Sequence, residues 1–453
     1  MWSNETLQHI EFGDKRLENR LSKILAMFTE NPEASIPDAC GTLAATKATY
    51  RFFSNNRVNS KKIIDAAIQS SIEKISQEEE VILAVDTTEI DYSSHQKVTG
   101  LGHLSQIKSR GVLLHSTLAI STTGEPFGIT EHTSWSRDLA SMGKRKLKKQ
   151  LAFEDKESYR WAQSLRKIEQ VVPPHVHAIM VADREADIYD LFVLERADNV
   201  DLIIRSAHDR RLSEEHQKLF TLLATRPAAG TFSVPITRMA KRKKRVATLE
   251  IRFSPITLPA QRKDRHAIIK DVPLIAIEVR EVSIADEPIL WRLITTIQSA
   301  NSLDGAIKCA KLYTMRWLIE RFHYTLKSGC KVEDLQLETG TRLMSALAVY
   351  TIVAYRLLHI TYAARITPNI PCTVFISNEH WKALYRFQHK TMLVPNKPFT
   401  VKKAVFAIAK LGGFLGRKSD GFPGVKVLWR GLTRLDDIVK IYTEIESMFK
   451  DKK

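Results

Sequence analysis

Residues 81–86 have the sequence VILAVD, five apolar residues followed by an acid, and residues 178–183 repeat the pattern as AIMVAD. Continuous apolar runs rich in β-branched residues are typical of strands that are buried on both faces. Sheets of the α/β class place ligands at the ends of such strands. We therefore predict two central strands that bring Asp86 and Asp183 to one site. For either aspartate alone, a turn or helix-capping role is the alternative.

The segments around these strands predict a sheet with helices on its faces. Two further strands are expected at Gly111–Ser121 and Pro126–Thr133, joined by a hairpin turn at Thr122–Glu125. A helix is expected at Glu157–Val171, where a proline pair ends it.

The flanking regions differ in pattern from this central part. Residues 1–75 have helical periodicity, and residues 200–300 are short alternating stretches that suggest an inserted β-rich subdomain. We predict one long helix from about Leu303 to Leu326, another at Thr341–Arg365, and further helices after Pro371. The predicted fold is α/β with helical terminal domains, and the boundaries are 1–75, 76–370 with an insertion at about 195–300, and 371–453.

The charge of the chain favours a polyanionic partner. The net charge is +17, and the surplus lies downstream, because residues 1–80 carry 10 basic and 12 acidic side chains whereas residues 371–453 carry 16 and 7. Dense basic runs occur at Lys144–Lys149 and Arg238–Arg245. Lysines and arginines that neutralise phosphates release counterions, so nucleic acid is the favoured partner, with a merely basic protein as the alternative.

Composition also excludes several classes of protein. The four cysteines are far apart, which argues against a zinc site or a disulfide framework. No basic leader precedes an apolar stretch at the N-terminus, and no apolar run approaches the roughly 20 residues that a membrane span needs, so we expect no signal peptide and no membrane partner.

The segment Tyr313–Lys327 carries the most specific pattern. At about 100° per residue, the side chains of Tyr313, Arg316, Glu320 and Lys327 fall on one narrow stripe of a continuous helix, opposite an apolar face. We therefore expect this helix to pack on the core and to present the four polar side chains outward together. An ordinary amphipathic helix with Arg316 and Glu320 as an i,i+4 pair is the alternative.

Three carboxylates, Asp86, Asp183 and Glu320, are thus candidates for one metal site. Clustered acids repel each other and tend to keep their protons, and a divalent cation relieves this repulsion. Hard oxygen ligands suit Mg²⁺, with Mn²⁺ as a substitute. Two such ions about 4 Å apart can activate a nucleophile and stabilise a leaving oxygen in phosphoryl transfer.

These residues resemble a known family, the bacterial cut-and-paste transposases with an Asp-Asp-Glu site, the group of the Tn-five transposase and its insertion-sequence relatives. The group has a Y-x2-R-x3-E-x6-K signature, which Tyr313, Arg316, Glu320 and Lys327 fit without a gap. The resemblance extends over most of the chain in matching order. Its other motifs are Thr49–Phe52, Val85–Thr88, Ser109–Gly111, His115-Ser116, Asp183–Asp187 and Ala409–Phe414.

The resemblance implies a ribonuclease-H-like catalytic core with a β insertion, an N-terminal domain that binds transposon ends, and a C-terminal dimerisation domain. It implies Mg²⁺-dependent nicking, a DNA hairpin intermediate, strand transfer into target DNA, a homodimer assembled on DNA, and a cytoplasmic, nucleoid-associated protein. Trp291 matches a tryptophan that stacks on a flipped base, with a core role as the alternative, and Arg205 matches a DNA contact. End recognition would rest on Arg16, Arg20, Lys47 and Arg51.

The chain departs from the family pattern at two positions. Tyr324 stands where the family has a lysine, and Arg321 follows Glu320 where a second acid is usual. These departures affect expected DNA contacts and leave the three carboxylates unchanged. A non-catalytic DNA-end-binding descendant and a host nuclease of the same core fold are the competing interpretations.

Overall fold

The computed structural model describes residues 9–106, 108–138, 151–213, 217–236, 245–260, 271–283, 287–417 and 420–450. The basic run at residues 144–149 lies outside the described residues, and so does the run at 238–245 except for Arg245. Within the described residues, ten strands form a single mixed sheet. The strands are β1 (Glu80–Asp91), β2 (Gly102–His103), β3 (Arg110–Ser121), β4 (Pro126–Trp135), β5 (His177–Ala182), β6 (Val200–Arg205), β7 (Gly230–Ile236), β8 (Arg245–Leu258), β9 (Val272–Glu281) and β10 (Leu290–Thr295).

Strand β1 lies inside the sheet, between β3 and β5. It pairs antiparallel with β3, which pairs in turn with β4, and it pairs parallel with β5, which is followed by β6. The apolar residues predicted from the sequence are fully buried here, as a sheet covered on both faces requires. The predicted strands, the hairpin turn and the mixed α/β class are confirmed.

The strands between residues 230 and 295 extend this same sheet. Strand β10 pairs with β6, and β9, β8 and β7 follow outward in that order. The β-rich stretch is therefore continuous with the central sheet through β10.

Helices occupy both ends of the chain and flank the sheet. Within the helical region predicted at residues 1–75, Gly41 takes a positive φ of 67° and ends the short helix Ile36–Cys40. The helices are α1 (Lys15–Glu30), α2 (Ile36–Cys40), α3 (Leu43–Phe53), α4 (Ser60–Ile75), α5 (Arg160–Val171), α6 (Tyr189–Val193), α7 (Leu219–Thr225), α8 (Leu303–Thr314), α9 (Trp317–Tyr324), α10 (Gly340–Ile366), α11 (Asn378–His389), α12 (Val401–Leu411) and α13 (Val425–Lys450).

Helix α10 is the central helix of the core. Most of its side chains are buried. The Tyr350 ring stacks on Phe28 of α1 at 4.8 Å, and the Tyr355 hydroxyl donates to the carbonyl of Phe127 in β4 at 2.7 Å. Among the described residues this one helix is long and apolar enough to cross a membrane by length and composition alone. The expectation that no apolar run reaches that length is therefore wrong for this segment, whose apolar side chains pack inside the protein.

The predicted helix from Leu303 to Leu326 is interrupted twice. Between α8 and α9 the backbone N–H groups of residues 315, 316, 318 and 319 bond to carbonyls three residues back. After α9, Thr325–Gly329 form a π-helical turn. Both departures change the angle between successive side chains, so the uniform spacing of 100° per residue does not hold across this segment.

Candidate active site

Asp86 and Asp183 lie side by side on neighbouring strands. Val85 and Ala182 form the last pair of the parallel ladder between β1 and β5, and each aspartate follows one member of that pair. Asp183 ends its strand as predicted, whereas β1 continues to Asp91 through its pairing with β3. The expectation that a strand ends at Asp86 is therefore wrong, because only the parallel pairing stops there.

Asp86 sits in a buried, acidic environment. Its Oδ1 accepts a hydrogen bond from the Thr87 backbone N–H at 2.8 Å, and its Oδ2 is 3.7 Å from Nδ1 of His323. Burial, with smaller contributions from the Glu320 and Asp183 carboxylates, raises the pKa of Asp86 to about 6, although Arg316 and the Thr87 N–H oppose the rise. The three acids are therefore close enough to act on each other electrostatically.

Arg316 stands between the other two carboxylates. Its Nη2 is 3.8 Å from Oδ2 of Asp183 and also contacts Oε1 of Glu320. One nitrogen of Arg316 thus contacts an oxygen of each carboxylate. Since the nitrogen and oxygen of an ion pair are at most about 4 Å apart, the two oxygens lie within about 8 Å of each other. Asp183 is partly exposed at 35% and Glu320 is exposed at 54%, so both carboxylates reach solvent.

The residues present fit a divalent cation by their chemistry. In this arrangement no group of three His, Cys, Asp or Glu side chains among the described residues is close enough to hold one ion, because Arg316 separates Asp183 from Glu320. The donors nevertheless are carboxylate oxygens, which Mg²⁺ and Mn²⁺ prefer. The raised pKa of Asp86 arises mainly from burial, and the two neighbouring carboxylates add to it.

The remaining signature residues are not presented outward as predicted. Tyr313 and Arg316 are buried, at 4% and 8% exposed, since the break between α8 and α9 turns them toward the sheet. Lys327 lies on the π-helical turn, where its Nζ donates to the Glu89 carbonyl at 2.8 Å and contacts Glu333 at 3.0 Å. The common outward stripe is therefore wrong, although Tyr313, Arg316 and Glu320 all adjoin the acidic cluster.

The other predicted DNA-binding residues fall into two groups. Trp291 on β10 is half-buried with its ring 5.6 Å from that of Tyr313, and Arg205 at the end of β6 is 3.8 Å from Asp183, so both lie beside the site. Arg51 is exposed on α3, in the N-terminal helical region. Nothing in these contacts tests DNA binding by any of the three, and that role stays a prediction.

Asp187, the last residue of the motif Asp183–Asp187, has a structural role. It is buried, and it accepts hydrogen bonds from Arg210 and from the backbone N–H groups of Ala207 and His208 at 2.7 and 3.1 Å. Asp187 therefore holds the turn after β6 in place.

His323 contributes to the site and was not singled out in the sequence. It is 5% exposed, and burial, with a smaller effect from Lys327 and Arg316, lowers its pKa to about 3. Its contact with Asp86 is thus between a neutral imidazole and a carboxyl group. The spacing of three residues from Glu320 could have indicated it, because such residues share a helix face.

Comparison with known families gives two matches, one at each end of the chain. Residues 1–58 match the family model described as transposase DNA-binding. Residues 352–447 match the model described as the transposase Tn5 dimerisation domain. The acidic cluster lies between them, in a part of the chain that neither model covers.

A match to a transposase DNA-binding region before the site and a match to a dimerisation domain after it support a transposase, which is a class of DNA-processing enzyme. The particular type follows from the second match, which supports a Tn5-like transposase. The two matches also support DNA binding and homodimer formation.

Proposed function

We propose that this transposase binds the ends of its own mobile element, excises the element by metal-dependent nicking and hairpin formation, and joins it to target DNA by strand transfer. The observation that carries the proposal is the cluster of Asp86, Asp183 and Glu320 around Arg316, between a DNA-binding and a dimerisation match. The mixed sheet around β1 is consistent with a ribonuclease-H-like core.

In this proposal Asp86, Asp183 and Glu320 would hold two Mg²⁺ ions, for which Mn²⁺ substitutes. Such ions, when bound, activate a nucleophile and stabilise the leaving oxygen of a phosphodiester. Arg316 neutralises the acids while the metal is absent, and its guanidinium then offers two donors to a phosphate of the strand at the site. Arg205, beside Asp183, adds a second cation along the same edge of the sheet.

Trp291 would stack on an extruded base next to the cut. Its ring is half-buried against Tyr313, so one face is held by the protein. A rigidly held aromatic ring stacks on a base without sequence preference. Arg51 and its exposed neighbours on α3 would contact the end sequence.

The test uses end DNA labelled on one strand, with the full chain and a Mg²⁺ titration. Asp183→Asn and Glu320→Gln should abolish nicking and leave end binding intact, because an amide keeps the shape of the side chain and is a poor ligand for Mg²⁺. Asp198→Asn is the matched control, since Asp198 is an exposed acid in the loop before β6. Nicking that persists in either ligand variant would overturn the proposed site.

One observation favours a second candidate, a non-catalytic DNA-end-binding protein. Because Arg316 already compensates Asp183 and Glu320, the fold does not require a metal at this position. That candidate predicts end binding without nicking at any Mg²⁺ or Mn²⁺ concentration. A host nuclease is disfavoured by the dimerisation match.

A further inference from the structure

A buried chain of polar side chains lies behind the acidic cluster, between the sheet and α5. His115, Thr117 and Ser164 are fully buried, and Glu131 is 7% exposed. Burying a polar group costs free energy unless the group is hydrogen-bonded. In a buried chain of polar side chains, each hydrogen therefore needs an acceptor. The register of the sheet places several members of this chain side by side. Thr87 pairs with His115 across β1 and β3, and Thr117 pairs with Glu131 across β3 and β4.

The contacts form an unbroken series. Arg160 Nε donates to Thr87 Oγ1 at 3.0 Å, and that oxygen is 2.8 Å from His115 Nδ1. On the other side of the ring, His115 Nε2 is 2.8 Å from Ser164 Oγ. Ser164 Oγ then donates to Glu131 Oε2 at 2.5 Å.

The direction of the series follows from the chemistry of its members. Complete burial, with Arg160 and His323 nearby, lowers the pKa of His115 well below its ordinary value, so the ring is neutral and has one N–H. Ser164 donates its hydrogen to Glu131, so its oxygen accepts from His115 Nε2. His115 Nδ1 is then an acceptor and receives the Thr87 hydrogen. With this tautomer every hydrogen in the series has an acceptor within hydrogen-bond distance.

The series ends next to both catalytic aspartates. Thr87 directly follows Asp86, and its backbone N–H holds Asp86 Oδ1 at 2.8 Å. Arg160 donates from Nη2 to Glu185 at 2.7 Å, and Glu185 stands two residues after Asp183. The Arg160 guanidinium therefore links the segment that contains Asp86 to the segment that contains Asp183, because it donates to both Thr87 and Glu185.

We propose that His115, Ser164 and Glu131 are positioning residues that orient Thr87 and Arg160, and through them set the spacing of Asp86 and Asp183. This inference rests on the proposed function. Partners behind metal-ligating side chains fix the orientation of those side chains, and their loss commonly reduces metal affinity or activity by about 10- to 100-fold.

The chain offers a matched pair of variants. Ser164→Ala removes the link between His115 and Glu131. Thr117→Val removes another hydroxyl that donates to Glu131 Oε2, at 2.8 Å, and this hydroxyl is not part of the series toward Asp86. Both variants lose one buried hydrogen bond to the same carboxylate, and Ser164→Ala also loses the bond from His115 Nε2, so its melting temperature should fall further than that of Thr117→Val.

Two readouts then separate positioning from stability, namely single-turnover nicking at saturating Mg²⁺ and Mn²⁺ affinity of the DNA-free protein by electron paramagnetic resonance. Ser164→Ala should lower nicking about tenfold and weaken Mn²⁺ binding, while Ser164→Thr restores both. Thr117→Val should change neither. Equal losses in Ser164→Ala and Thr117→Val, or wild-type values in Ser164→Ala, would overturn the proposal.

Nitrogen NMR of His115 tests the series independently of activity. We expect a neutral ring with its proton on Nε2 at pH 7, and a change of tautomer population in Ser164→Ala. A wild-type protein that neither binds Mn²⁺ nor nicks DNA would refute the proposed function, whereas a His115 ring that is charged or protonated on Nδ1 would refute the series itself.

Discussion

Arg316 contacts two carboxylates that belong to different elements, Asp183 after β5 and Glu320 on α9, and it is almost completely buried while doing so. Burial alone would lower its pKa, yet the phenol of Tyr313 and the three acids around it raise the pKa above its ordinary value. The side chain thus supplies the positive charge that the acidic cluster needs in the absence of metal.

Arg316→Ala should make the fold depend on metal. Loss of a hydrogen-bonded charge partner should reduce the free energy of unfolding by about 2 kcal/mol without metal. Added Mn²⁺ should then raise the melting temperature more than in the wild type, because the unpaired acids gain more from a cation. Arg316→Lys keeps the charge and serves as control. An equal Mn²⁺ shift in both proteins would contradict this account.

Trp291→Ala should impair hairpin formation more than the first nick. The stacking of a base on the ring is worth about 1–3 kcal/mol, and only the bent intermediate requires an extruded base. A time course on strand-labelled end DNA separates the nicked and hairpin products. Trp291→Phe keeps a ring against Tyr313 and controls for packing. A large fall in melting temperature for the alanine variant would favour the core role instead.

At the scale of elements, the break between α8 and α9 marks the limit of what the sequence allows. The residues from 313 to 327 include neither proline nor glycine. The local sequence therefore does not predict the change from i−4 to i−3 hydrogen bonds between α8 and α9. The order of the signature residues was predictable, but the burial of Tyr313 and Arg316 was not. Burial here depends on contacts with β1 and β5, whose residues lie more than a hundred positions upstream.

The opposite end of the parallel strands has a histidine between two acids. His177 on β5 contacts Glu80 on β1 at 3.1 Å through Nδ1 and Asp201 on β6 at 2.9 Å through Nε2. The hydrogen bond to Asp201, followed by the bond to Glu80, raises the pKa of His177, although burial opposes the rise. The imidazolium thus links three adjacent strands at the edge away from the acidic cluster.

The ion pairs of His177 with Glu80 and Asp201 should weaken as the pH rises. A folded-state pKa above the unfolded value means that the stabilisation is complete below about pH 6.5 and is lost as the pH rises through the folded pKa. The free energy of unfolding should therefore exceed that of His177→Gln at pH 6 and approach it by pH 9. The difference should stay within about 1 kcal/mol, since the side chain is one-third exposed and solvent screens the pairs. Denaturant unfolding at both pH values measures the difference in free energy of unfolding. A difference that grows with pH would refute the stabilising role of the His177 ion pairs.

On the scale of the whole molecule, the C-terminal region is part of the protein core as well as a candidate for dimerisation. The apolar residues Val405 and Ile408, which lie inside the matched dimerisation region, are buried within the chain itself. Trp429 of α13 packs against Gly329, where an added Cβ would come within 2.7 Å of the indole ring. Deleting residues 372–453 would uncover these surfaces, so such a truncation would disturb the core of the protein as well as assembly.

A substitution on the exposed face of α13 tests assembly without that damage. Ile441 is 57% exposed on this helix, inside the matched dimerisation region. Ile441→Glu should prevent paired-end complexes in a gel assay and leave the melting temperature unchanged, because a charge there disrupts an apolar contact between copies only. Ser447→Glu places the same charge elsewhere on the helix. Normal pairing by Ile441→Glu would exclude this face.

Long-range pairing was the part of the fold that the sequence could not supply. The periodicity of β7, β8 and β9 identified strands, but their attachment to β6 depends on β10, which is separated from β6 by most of a hundred residues. The same limit applies to His115 and Glu131. His115 stood in the motif His115-Ser116 and Glu131 in a predicted strand, but their link through Ser164 depends on the packing of α5 against β3 and β4.

Helix α10 limits how such a protein can change the DNA end that it recognises. Phe28 stacks on Tyr350, and Thr29 accepts a hydrogen bond from Arg356 at 3.3 Å, so the matched DNA-binding region is seated on residues encoded some 300 positions later. An exchange of residues 1–58 between related genes would separate these partners at a single crossover. New DNA specificity of this region would therefore have to arise by substitutions on its exposed surface, or by recombination that carries the matching face of α10 with it.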